Sequence, residues 1–408
     1  MLLIKNATIF KNGEEIGCDL LIEDTNIIKI EDKIDLKDVQ TIDISGKYLL
    51  AGIVDLNVRL KDNTLNLSHL NRLKNKAKKS GVTTFALMPD FSPNIASETF
   101  AELLKTKLDE MKLDIILSVK AIKEENKKEL NDIAIMIENG AKIIQARSHI
   151  DGNLLRRVLQ YSLMKDIPFF CFCDNPDLND NGVMHEGRIS SKLGLAGVSK
   201  ISEISEVARV ASMCEYYGSK TLFQSLSTKR SIDIVDSVKK VGKPAFSEVS
   251  ISHLILNDKM CNDFNTLAKL HPPLRDEDER LKLIEALRDG KIDTITALHS
   301  AKSYNSKDVA FNDASYGVDS LEYFLSLCYT FLVKEGVISF EELSRLISAT
   351  PAKILGFDKL GEIEEGFIAN LVVFDPNVSK VVDDKTSLFN NFKIDGEVVL
   401  TISNGNIL

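Results

Sequence analysis

Short apolar runs recur along the chain at a steady interval: GIVDLNV, TTFALMP, DIILSVK, AKIIQAR, PFFCFCD, TLFQSLS, AFSEVS and DTITALH, eight in all. Their length and their β-branched and aromatic content predict buried strands. Amphipathic stretches lie between them, among them SHLNRLKNKAKKSG, ENKKELNDIAIMIENG, NLLRRVLQYSLMKD, SEISEVARVASMCEYYG, SIDIVDSVKKVG and DERLKLIEALRDG. Several close on Gly, the residue that most easily takes the left-handed conformation that ends a helix. Further helices are predicted over 316–336 and 339–350. Eight buried strands alternating with helices predict an α/β fold, a (β/α)8 TIM-type barrel closed by right-handed crossovers.

The two ends carry a different pattern. LLIKNATIF, DLLIEDTNIIKIE and TIDISGKYLL at the start, and EIEEGFIANLVVFD and KIDGEVVLTISNGNIL at the end, read as strands separated by polar turns. A small β-sandwich domain built from both termini, 1–51 with 353–408, is therefore expected beside a barrel over 52–352. Segments 174–200 and 251–274, the latter holding HPPLR, show no helical period and read as long loops, which in a barrel tend to serve function. The charged runs KNKAKK and KEENKKE fall on predicted helices and read as solvated faces.

With 408 residues and 44% apolar content, the chain can bury a large core. A net charge of −9 offers no electrostatic footprint for nucleic acid. No apolar run reaches the roughly 18 residues of a membrane span, so a soluble, cytoplasmic protein without a membrane partner is expected. Six scattered cysteines do not form a disulfide framework. Cys171 and Cys173 alternate on a strand and share a face; they read as core residues, because no second ligand pair accompanies them to make a zinc site.

In a barrel of this type, chemistry sits at the C-terminal strand ends. These present Asn57, Arg59 and Lys61; Asp90; Lys120; Ala146, Arg147 and His149; Phe172 and Asp174; Ser225 and Ser227; Glu248 and Ser250; Leu298 and His299. A metal centre needs converging imidazoles and carboxylates, and this list does not supply them. His299 reads as a hydrogen-bonded structural residue. Arg59, Lys61 and Arg147 suit a phosphate or carboxylate. The weightier expectation is internal pairing with Asp90, Asp174 and Glu248, because buried charges must be paired. No GxSxG elbow, phosphate loop or GxGxxG occurs, and the neighbours His185 and Glu186 do not make an acid–base pair.

Nearly the whole chain resembles bacterial dihydroorotases of the amidohydrolase superfamily. The motifs that carry the resemblance are NGVMHEGRISSKLGLAGVSKISEISEVARVASMCEYYGSK, GVTTFALMPD, HPPLRDEDERLKLIEALRDGKIDTI, YGVDSLEYFLSL and PAKILGFDKLGEIEEGFIANLVVFDP. The resemblance implies a zinc-containing barrel with a small β domain, but the ligand positions are degenerate. The family's His-x-His-Leu-Arg-Asp-Pro-Gly reads Asn57-Val58-Arg59-Leu60-Lys61-Asp62-Asn63-Thr64. The fourth-strand aspartate or carboxylated lysine falls near Ala146 or Arg147, with Lys142 at the wrong end of the strand. The fifth- and sixth-strand histidines are Phe172 and Ser225, and the catalytic aspartate is Leu298. Lys61, Asp90 and His271 stand where the family contacts its substrate. Ring opening of a dihydropyrimidine needs a Lewis acid and a general acid–base, so no catalytic residue, no metal ligand and no cofactor is expected.

The resemblance further implies an inactive member of pyrimidine biosynthesis that self-associates and assembles with aspartate carbamoyltransferase. The alternative is a metal-independent or weakly active amidohydrolase for a small anionic cyclic amide such as dihydroorotate, or its product carbamoyl aspartate. Its anion-binding residues would be Arg59, Lys61, Arg147, His271 and His299, with turnover resting on His299 or Asp174. A homodimeric binding module is a third reading.

Overall fold

The computed structural model describes residues 1–92, 104, 106–108, 110–124 and 126–408. Eight parallel strands follow the predicted runs: β6 (Ile53–Val58), β7 (Val82–Leu87), β8 (Asp114–Lys120), β9 (Ala141–Arg147), β10 (Phe169–Phe172), β13 (Thr221–Gln224), β14 (Ala245–Ser250) and β15 (Thr294–Thr296). They pair in that spatial order, as a barrel requires. The seam between β15 and β6 is closed beyond the last strand, where Arg59 N–H donates to His299 O at 2.8 Å and Asp62 N–H to Ala301 O at 3.0 Å. Buried Asp55 reinforces the seam by accepting from Thr296 Oγ1 at 2.6 Å and from Ala297 N–H at 3.0 Å.

Alternation along the strands separates two apolar layers. Val54, Leu56, Ala86, Ile116, Ile143, Phe170 and Leu222 fill the barrel interior. Ile53, Phe85, Ile144, Phe169, Cys171 and Phe223 face the helices. Cys171 and Cys173 are both buried in this outer layer.

The chain ends form one hydrogen-bonded sheet of eight strands: β1 (Leu2–Lys11), β2 (Glu14–Glu23), β3 (Asn26–Glu31), β4 (Gln40–Asp43), β5 (Tyr48–Ala51), β16 (Leu371–Val381), β17 (Lys393–Ser403) and β18 (Asn406–Ile407). The first and last segments meet where β5 pairs antiparallel with β16. Gly81 lets sheet and barrel approach. It caps helix Leu67–Ser80 at φ +78°, and a Cβ there would sit 2.6 Å from Val372. Only glycine meets both demands without strain.

Several expectations need correction. The helix expected over 125–140 begins only at Ile133, and residue 125 lies outside the described residues. Ile122 instead bridges Leu130, so the described residues of KEENKKE lie in the turn between them. Residues 316–320 are not helical, because Val318 bridges His299 at the barrel seam. The loop 174–200 contains helix Arg188–Leu193 and a parallel pair, β11 (Met184–His185) with β12 (Gly197–Val198). The loop 251–274 holds helix Ile251–Ile255 and 3-10 turns at Asp258–Phe264 and Thr266–Ala268. Asn257 and Asn265 cap those turns through their side chains, a local order that leaves no amphipathic period. Among the described residues, no helix is long and apolar enough to cross a membrane.

Candidate functional site

The strand ends converge on a buried chain of polar side chains. Asn57 donates from Nδ2 to Glu248 Oε1 at 2.7 Å and to Ser225 Oγ at 2.9 Å. Ser225 N–H donates to the same Glu248 oxygen at 3.0 Å. The Arg59 guanidinium donates to Asn57 Oδ1, and its Nε donates to Asp90 at 3.0 Å. Asn57, Ser225 and Glu248 are all buried. Burial pushes the Glu248 carboxyl up to about 7, against the opposing pull of the Asn57 hydrogen bond. Burial raises Asp90 too, but Arg59 and Lys120 outweigh it and hold that carboxyl below its usual range.

A second set surrounds the opening. Arg147 donates to Asp174 Oδ2 at 3.1 Å, and His271 Nε2 lies 3.3 Å from the same oxygen. Phe172 packs against both: the His271 ring centroid lies 4.9 Å away and the Arg147 guanidinium 5.2 Å over the ring. Burial raises the Asp174 carboxyl, yet the His271 hydrogen bond and the Arg147 charge prevail and lower it. Within this rim is a cavity of about 240 Å³ lined by Arg59, Arg147, Phe172, His271, Leu298 and Lys302.

The structure thus brings Arg59, Arg147 and His271 to one cavity, but not Lys61 or His299. Lys61 lines a neighbouring hollow. His299 is buried on the far side, where its Nδ1 accepts from Leu321 N–H at 3.3 Å and lies 3.6 Å from Asp319. Burial pushes its imidazole down to about 4. The reason lies one residue earlier. Leu298 has φ +52°, a left-handed conformation that interrupts strand alternation and turns His299 away. Ser225 shares that φ of +52°. A branched apolar side chain seldom adopts this backbone, which Asn and Asp tolerate better. Ala146 faces the helix layer and Lys142 sits at the opposite end of β9. His149 is 44% exposed beyond the rim.

Gln145, Lys302 and Tyr316, absent from the predicted site residues, also line the cavity. Gln145 shares strand parity with Arg147 and was detectable; Lys302 and Tyr316 follow the last strand in a stretch with no period to place them.

These residues do not fit a catalytic metal. The positions that would ligate it present an amide, a guanidinium, a phenyl ring, a hydroxyl and a leucine, and Arg59 carries a positive charge into the centre. Among the described residues, no group of three or more His, Cys, Asp and Glu side chains could hold an ion.

Barrel and terminal sheet together give the architecture of the amidohydrolases, while the strand ends depart from a metal centre. A profile described as "Dihydro-orotase-like" matches residues 46–231, and one described as "Amidohydrolase family" matches residues 229–408. Dihydroorotase from Carboxydothermus hydrogenoformans is 31% identical over 389 residues, covering 94% of this chain and 90% of that protein. Dihydroorotase from a Thermoanaerobacter species is 32% identical over 419 residues, covering 100% and 96%. The L-hydantoinase of Arthrobacter aurescens has the same fold, with a TM-score of 0.88 at 21% identity over 100% of this chain and 95% of that one. The chain belongs to the dihydroorotase family, whose activity is the hydrolysis of a cyclic amide.

Proposed function

We propose that this chain is a dihydroorotase-fold protein of pyrimidine biosynthesis that has lost catalysis and acts as a structural partner of aspartate carbamoyltransferase. One observation carries the reading: the centre of the barrel is closed by its own hydrogen bonds, from Asp90 through Arg59 and Asn57 to Glu248. Such a chain leaves no Lewis acid site, and Leu298 cannot move a proton. Any retained role then falls to the fold and its surfaces. The choice of partner rests on the family resemblance and the preserved scaffold.

The test mixes the purified chain with aspartate carbamoyltransferase of the same organism and reads particle mass by size exclusion with light scattering. A stable complex heavier than either component is expected. Two separate peaks, together with turnover of dihydroorotate by the chain alone, would favour a metal-independent hydrolase working in the cavity lined by Arg59, Arg147 and His271.

A further inference from the structure

A second hollow of about 230 Å³ lies beside the barrel mouth, separated from it by Lys302 and the Gly317–Val318 backbone. Four cationic side chains reach it from four different elements. Lys61 comes from the turn after β6, Arg72 from helix Leu67–Ser80, Lys302 from the segment after β15, and Lys307 from the short helix Tyr304–Lys307. One carboxylate, Asp319, lines the same wall. It is already shared: Arg72 and Lys76 each lie 3.0 Å from it.

Among the described residues, the other three cations make no ion pair, although the charges of Asp62 and Asp90 act on Lys302 from farther off. Lys307 is 7% exposed, and among the described residues its Nζ donates only to backbone oxygens, Thr266 O at 3.0 Å and Lys269 O at 3.3 Å. Lys302 Nζ donates to the neutral Asn63 Oδ1 at 3.1 Å. Lys61 makes no ion pair or side-chain hydrogen bond among the described residues. Buried ammonium groups are costly without a counter-charge. Burial accordingly pushes Lys307 down to about 7, with Lys302 and Lys269 lowering it further, and burial also lowers Lys302.

We infer that this hollow is a binding site for a phosphate-class anion, with Lys61, Lys302 and Lys307 as its ligating cations and Arg72 at its edge. Three ammonium groups act as separate point charges around one volume. That arrangement suits a multiply charged tetrahedral oxyanion better than a planar carboxylate, which is matched by an arginine fork. The site is independent of the assembly reading, because neither its residues nor its test involves the carbamoyltransferase.

Isothermal titration of the full chain with inorganic phosphate and with pyrophosphate tests it, with succinate as the carboxylate control. Saturable binding of a phosphate species is expected, tighter than succinate. Lys61→Ala and Lys307→Met should each weaken it at least about tenfold, while Arg147→Ala at the barrel mouth leaves it unchanged. Lys61 is only half-buried, so its variant reports even if Lys307→Met fails to fold. No saturable binding, a preference for succinate, or loss of binding in Arg147→Ala would each overturn the assignment.

Discussion

Two buried acidic clusters flank the C-terminal face of this barrel, and they are built in opposite ways. Glu203, on helix Lys200–Tyr217, accepts from Ser227 N–H at 3.1 Å, Thr228 N–H at 3.0 Å and Thr228 Oγ1 at 2.8 Å, and also from the Ser227 hydroxyl. Arg275 stands 3.7 Å from it and donates to Ser227 Oγ at 2.9 Å and to Val198 O at 3.0 Å. Both Glu203 oxygens are satisfied. Glu248, at the centre, has one oxygen bonded to Asn57 and Ser225 and a second, buried oxygen with no partner among the described residues. The first cluster ties the segments ending in Val198 and Arg275 to the strand-end turn after β13. Val198 and Glu203 both lie in the stretch NGVMHEGRISSKLGLAGVSKISEISEVARVASMCEYYGSK and Arg275 closes HPPLR, two of the stretches that carry the family resemblance. The second cluster occupies the positions where the resemblance fails. What persists in this chain is the part that holds loops in place; what has changed is the part that would perform chemistry.

That contrast can be broken first at Arg275. Arg275→Met leaves Glu203 buried without its cationic neighbour, a change that typically costs roughly 3–5 kcal/mol. Urea unfolding should show a lower midpoint of that order; a loss below about 1 kcal/mol would mean the cluster does not hold the loops.

Glu248 gives the next largest effect, and it depends on pH. Its folded pKa of about 7 lies above its ordinary value of 4.5. Between those values the folded chain keeps a proton that the unfolded chain has released, so stability falls as pH rises through this window. Glu248→Gln removes that contribution. Relative to the parent, the variant should gain on the order of 3 kcal/mol from below pH 4.5 to above pH 7. A difference that stays flat across the window would contradict the buried, half-bonded carboxylate.

The smallest effect is expected from repairing one ligand. Phe172→His restores a single imidazole beside Arg147 and His271, while Asn57, Arg59, Ser225 and Leu298 remain. Metal affinity needs the whole set, so elemental analysis should find no added zinc and an assay no dihydroorotate turnover. Zinc capture by this one change would show that the centre is less altered than its side chains indicate.

Much of this was legible in the sequence, and the failures have physical causes. Eight runs of the right length gave the barrel, and the strand-like termini gave the sheet. Strand parity correctly grouped Asn57 with Arg59. Parity does not extend to His299, which is read as a hydrogen-bonded structural residue and accepts from Leu321 N–H; the positive φ of Leu298 that turns it there is a tertiary feature with no signature in residue type. The order within 251–274 was hidden for a related reason: its short turns are set by Asn257 and Asn265 side chains and by the His253 ring, whose Nε2 lies 3.1 Å from Pro272 O. The cationic hollow was invisible, since Lys61, Arg72, Lys302 and Lys307 are brought together only by barrel closure.

The most direct test of the account is the zinc content of the wild-type chain after incubation with excess zinc and gel filtration, measured per polypeptide. A centre closed by Arg59, Asn57 and Glu248 predicts far less than one zinc per chain. Stoichiometric zinc that survives filtration would contradict it.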